Sequence, residues 1–93
     1  MDVDVAIIGS GFSASIAAAA LTRAGRRVLM LDRNQHPRFA IGESSTPLAD
    51  LLIERMAEQF CLPELQKLSR WGIWKRELPQ VSCGKKRGFS YFE

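Results

Sequence analysis

The stretch VAIIGSGFSASIAAAA, residues 5–20, narrows what this chain can fold into more than any other part of it. DVAIIG is a short apolar run closed by glycine, suited to a strand buried on both faces. Small residues then stand at Gly9, Gly11 and Ala14, a G-x-G-x-x-A pattern. The alanine-rich FSASIAAAALTRA favours a helix, and Gly25 stands where a helix C-terminus should be. RRVLMLD supplies a second apolar strand ending at Asp32. Strand, helix and strand packed into so few residues make a βαβ unit, with parallel strands and a right-handed crossover. The fold class is α/β.

Each small residue in that turn has a physical task. Gly9 permits the tight turn, Gly11 lets the backbone approach a pyrophosphate, and Ala14 allows the helix to pack closely on the strand. The helix then opens at Phe12, Ser13 and Ala14, whose amides and positive dipole end face the phosphates. Asp32, 21 residues after Gly11, stands where a carboxylate accepts hydrogen bonds from both hydroxyls of an adenosine ribose. It also repels a 2′-phosphate, which disfavours NADP, and Arg33 follows it directly. These residues suit NAD and FAD alike. The plainer reading is a tight βα turn that binds nothing, with Asp32 capping a loop.

Farther along, Thr46 is a suitable N-cap and Pro47 a suitable first helical residue. Leu48, Leu51, Leu52, Ile53, Met56 and Phe60 then recur at helical spacing, with Asp50, Glu54, Arg55 and Glu58 on the wet side. Pro63 opens a short further helix with Leu62, Leu65 and Leu68 turned inward. RWGIWKRELPQVSCGKKR reads as irregular, and GFSYFE as the start of a strand. Two parallel strands and a few helices leave sheet edges open, so the domain is expected to be incomplete and to continue downstream.

Composition excludes several classes. The 93 residues are 46% hydrophobic and 25% charged, which argues for an ordinary globular chain rather than disorder. Residues 1–66 hold six Lys/Arg against eight Asp/Glu, whereas residues 67–93 hold seven against two, so the +3 net charge sits in the tail. A solvated basic face is the ordinary explanation; attraction to an anion is the sharper one. Cys61 and Cys83 fit no metal-binding spacing, the chain has one histidine, and no metal site is expected. The start lacks a basic region before an apolar core, and the run from Val5 is interrupted by glycines and serines, so neither a signal peptide nor a membrane span is expected. A cytoplasmic location follows. KRGFSYFE is loosely like the aromatic strand of RNA-recognition modules, but DVAIIG has no aromatic to stack a base, so no nucleic-acid partner is expected.

At HPRFAIGESSTP the chain resembles the flavin-dependent halogenases, within the wider group of FAD-dependent aromatic hydroxylases. The likeness lies in the glycine fingerprint, the acid closing the second strand, the Pro-Arg-Phe step and the Ile-Gly-Glu-Ser turn opening a helix. It continues at CGKKRGFSYF, similar to the family's lysine-bearing strand. The resemblance implies a Rossmann-like FAD-binding domain begun over residues 1–34. A flavin-side strap follows over 35–47, then helices over 48–70, then a loop and the start of a strand over 71–93. It implies FAD as cofactor, with Arg38 near the pyrophosphate and Gly42, Glu43, Ser44 and Ser45 near the isoalloxazine. For Ser44, Ser45 and Thr46 the competing role is helix capping.

In that family, reduced flavin and oxygen turn halide into hypohalous acid, which a strand lysine guides or carries to the substrate. Lys86 would take this part, with Lys85 as its rival. The implied partners are a small-molecule substrate and a flavin reductase. Two departures stand out. Asp32 replaces the more usual Glu, and WGIWKRELP has Trp71, Trp74 and Pro79 at a spacing unlike the family's Trp-x-Trp-x-x-Pro segment. The 93 residues alone are expected to be inactive. The alternatives are an FAD-dependent monooxygenase or reductase without halide chemistry, and a non-enzymatic nucleotide-binding module.

Overall fold

A computed structural model describes residues 2–37 and 44–85. The order of elements is β1 (Val5–Ile8), α1 (Phe12–Arg23), β2 (Val28–Leu31), α2 (Pro47–Gln59), α3 (Pro63–Lys67) and α4 (Trp71–Glu77). β1 and β2 pair in parallel with Val5 opposite Val28 and Ile8 opposite Leu31. α1 packs on both strands, completing the βαβ unit that the sequence pattern requires.

Expectation and structure part at β1. Val5 and Ile7 are half-buried, whereas Ala6 and Ile8 are exposed, Ile8 at 89%. The reason is that α1 is the one described helix packed on the sheet, so it covers one face and leaves the alternate side chains open.

Local chemistry fixes the element ends. At the start of both strands Arg27 donates three hydrogen bonds to the Asp4 carboxylate: its backbone amide (2.8 Å) and Nε (3.3 Å) to Oδ2, and Nη2 to Oδ1 (3.1 Å). The Arg27 side chain, and then its amide, hold the Asp4 carboxyl below its ordinary value. α1 stops in a Schellman motif: Gly25 at φ +84° donates its amide to Thr22 O, and Arg26 donates to Leu21 O. α2 ends in the same bond pattern, Cys61 N to Glu58 O and Leu62 N to Ala57 O, but with Cys61 at φ +54° in the glycine position.

Thr46 caps α2 through its side chain, which accepts from Ala49 N at 3.2 Å, and Pro47 opens the helix. α2 packs on α3, and α3 on α4. Ile53 and Ala57 are buried, as is Ser69, whose hydroxyl donates to Gln66 O at 2.7 Å. Leu48, Leu51, Leu52 and Phe60 of the same apolar pattern are exposed. Arg70 reaches back to Glu54 at 3.4 Å.

One expected loop is a helix. The segment from residue 71, read as irregular, begins with α4. Of the three turn residues in that stretch, Gly72 sits in the first turn of the helix, Pro79 just beyond its end and Gly84 farther on, where none breaks it. GFSYFE lies outside the described residues. Cys61 and Cys83 are exposed free thiols.

Candidate cofactor site

The site forms at the C-terminal ends of the two parallel strands, the edge at which α/β sheets present their ligands. Gly9 donates its amide to Leu31 O at 2.6 Å, tying the loop after β1 to the end of β2. Gly9 has φ +108°, a backbone that side chains rarely adopt, so the turn needs glycine for conformational reasons. Gly11 differs. Its φ is −70°, open to any residue, and a Cβ there would meet nothing within 4 Å. Nothing in the free chain therefore demands glycine at position 11, and the backbone there is open to approach.

An open cavity of about 440 Å³ lies over this loop, lined by Ile8, Gly9, Ser10, Gly11, Leu31, Asp32, Arg33 and Asn34. The first intrahelical bond of α1 runs from Ser15 N to Gly11 O, and no side chain caps the helix. The amides of Phe12, Ser13 and Ala14 thus precede the helical ladder, and no acidic residue occupies the first turn to compete with an anion. An open backbone turn, uncapped amides beside it and a carboxylate lining the same cavity suit a diphosphate followed by a ribose.

Asp32 is held from two sides. Oδ1 accepts from Asn34 N at 2.8 Å, and Oδ2 accepts from Ser10 Oγ at 2.5 Å. Ser10 Oγ lies 2.6 Å from His36 Nε2. A hydroxyl carries one proton; because Ser10 gives it to the carboxylate, His36 Nε2 is the donor to Ser10 Oγ.

Of the residues expected at the site, Gly9, Gly11, Asp32 and Arg33 line one cavity. Ala14 lies half-buried in the first turn of α1. The side chains of Phe12 and Ser13 instead border a separate apolar hollow of about 610 Å³ shared with Ile16, Met56 and Phe60. Ser44 and Ser45 are exposed just ahead of α2 and line neither cavity; Ser45 Oγ donates to Asp50 Oδ1 at 2.5 Å. Arg38, Gly42, Glu43 and Lys86 lie outside the described residues. Lys85 places its ammonium 5.5 Å from the centre of the Trp71 ring, and Lys75 is 5.1 Å from the same ring.

Ser10, Asn34 and His36 were not anticipated. Ser10 fills a variable position of the glycine pattern, and no spacing rule ties it to His36, which is 26 residues away. Among the described residues no cluster of His, Cys, Asp and Glu is arranged to hold a metal, and no helix is long and apolar enough to cross a membrane.

Comparison with known proteins agrees with this geometry. Residues 7–70 match the NAD(P)-binding Rossmann-like domain. The chain is 38% identical over 88 residues to the monodechloroaminopyrrolnitrin halogenase PrnC of Pseudomonas fluorescens, covering 95% of this chain and 15% of that protein. It is 35% identical over 83 residues to squalene monooxygenase 1,2 of Brassica napus, covering 86% of this chain and 16% of that one. Among solved structures it superposes on halogenase PltM in complex with phloroglucinol and FAD with a TM-score of 0.76 and 38% identity, over 82% of this chain and 15% of that one. The chain thus spans about one-sixth of the length of the relatives it matches. A glycine turn and a strand-end carboxylate sharing one cavity, with the matched region running through both, establish that the chain belongs to the NAD(P)-binding Rossmann-like domain family, among relatives that include flavin-dependent halogenases.

Proposed function

We propose that this chain is the FAD-binding part of a flavin-dependent oxidoreductase of the halogenase type, acting on a small organic substrate with reduced FAD and oxygen. The observation that carries the reading is the shared cavity of Gly9, Gly11 and Asp32 at the mouth of α1. The residues of this chain bind and orient. The amides of Phe12, Ser13 and Ala14 hold the diphosphate, and Asp32 takes the adenosine ribose. Arg33, next to Asp32 in the cavity lining, adds positive charge to the site. When bound, FAD supplies the redox and oxygen chemistry. Arg38, Gly42, Glu43, Ser44 and Ser45 are assigned to the flavin side by family resemblance. On the same ground Lys86 is assigned to the delivery of oxidised halide, with a flavin reductase as electron source and the cytoplasm as location.

Titration with FAD tests the cofactor assignment. Saturable binding of FAD, with FMN unable to compete because it lacks the adenosine, is the expected result. Equal binding of FMN and FAD would refute it. For the chemistry, turnover of the full-length enzyme with a flavin reductase, oxygen and bromide should yield brominated product, lost in Lys86→Ala. The similarity to squalene monooxygenases favours a second reading, oxygenation without halide. Oxygenated product that is never brominated would select it.

A further inference from the structure

Three polar side chains, two of them lining the cavity, are hydrogen-bonded to one another although water is at hand. His36 and Asp32 are exposed and Ser10 is half-buried. They nevertheless form a chain from His36 Nε2 through Ser10 Oγ to Asp32 Oδ2, with contacts of 2.6 and 2.5 Å. The chain joins two loops with different tasks: residues 9–11 beside the phosphate cradle, and residues 32–34 at the ribose end. Ser10 stands between two glycines, so it carries the one side chain of that G-x-G turn, and that side chain is turned on Asp32.

We propose that Ser10 and His36 are positioning residues for the cofactor's adenosine ribose, acting through Asp32; this rests on the FAD reading above. A carboxylate on a flexible side chain loses rotamer freedom when it binds a diol, and a carboxylate already held loses less. Asn34 N fixes one oxygen and Ser10 the other, which sets the plane of the carboxylate. His36 in turn fixes Ser10: by donating to Oγ it leaves the hydroxyl proton to point at Asp32. The same link ties the loop of residues 9–11 to the end of β2.

The test uses ADP and 2′-deoxy-ADP as probes with the purified protein, following binding by calorimetry and folding by circular dichroism. The wild type should prefer ADP. Ser10→Ala and His36→Ala should each weaken ADP by about three- to tenfold and weaken 2′-deoxy-ADP, which keeps one of the two hydroxyls, distinctly less. His36→Gln, which keeps a donor at similar reach, should restore ADP affinity. In an Asp32→Ala background, His36→Ala should add nothing. Equal losses for both nucleotides, or no rescue by glutamine, would overturn the inference. ADP binding that depends on Asp32 but is indifferent to Ser10 and His36 would overturn it while sparing the FAD reading. A wild type that binds neither FAD nor ADP would overturn both.

Discussion

The βαβ unit and the α2–α4 cluster divide the work of this chain unequally. The buried residues among those described, Ile53, Ala57 and Ser69, all belong to the helical cluster, and α1 has none. The βαβ unit, by contrast, holds the cavity, the strained glycine, the uncapped helix start and the bonded Asp32. Chemistry and core are therefore separated. A site built from backbone amides and one carboxylate needs a correct turn more than a buried core, and the turn is enforced locally by sheet pairing, by the Schellman motif after α1 and by the Asp4–Arg27 pair. The helical cluster is held by packing and capping and contributes no residue to the cavity under Asp32.

Substitutions in the two regions should therefore separate binding from stability. The largest effect is expected from Gly11→Ala. A methyl group there meets nothing in the free protein but occupies the phosphate cradle, so FAD affinity should fall by a clash worth about 1–3 kcal/mol with an unchanged unfolding midpoint. An equal loss of stability would show that Gly11 serves conformation instead. Gly9→Ala should do the reverse first, destabilising the fold by about 1–3 kcal/mol because φ +108° is strained for alanine; urea unfolding measures it. In the helical cluster, Thr46→Ala removes the cap on Ala49 N and should cost about 1 kcal/mol, with FAD affinity intact in a binding titration.

The smallest effect concerns Asp4. Its carboxyl lies below the ordinary 3.8 in the folded chain, so the stability it contributes is fully present above that pH and is lost as pH falls through the lower, folded value. Asp4→Asn should therefore lower stability slightly near neutrality and flatten the acid limb below pH 3.8, where the wild type loses the same contribution. An acid limb as steep in Asp4→Asn as in the wild type would show that the pair does not contribute.

Much of the βαβ unit was legible because its constraints are local. A positive-φ glycine, a glycine after a helix and an acid at the end of a strand each follow from short-range sterics and bonding, and they stand where G-x-G-x-x-A, Gly25 and Asp32 put them. The half-open face of β1 was not legible, since what covers a strand is decided by packing partners and not by the strand's own apolar run. The His36–Ser10–Asp32 chain escaped for a similar reason: it depends on the return of the segment after β2 over the glycine turn. α4 is hidden in the sequence because Gly and Pro read as helix breakers, whereas at the two ends of a short helix they are tolerated.

The central claim is that the mouth of α1 and the end of β2 grip the ADP portion of FAD together. Amide resonances followed by NMR during titration with ADP test it most directly. The predicted result is that Gly11, Phe12, Ser13, Ala14 and Asp32 shift together at the same ligand concentration while residues of α3 and α4 stay in place. Shifts concentrated in α2–α4, or movement at Asp32 with none at the start of α1, would contradict it.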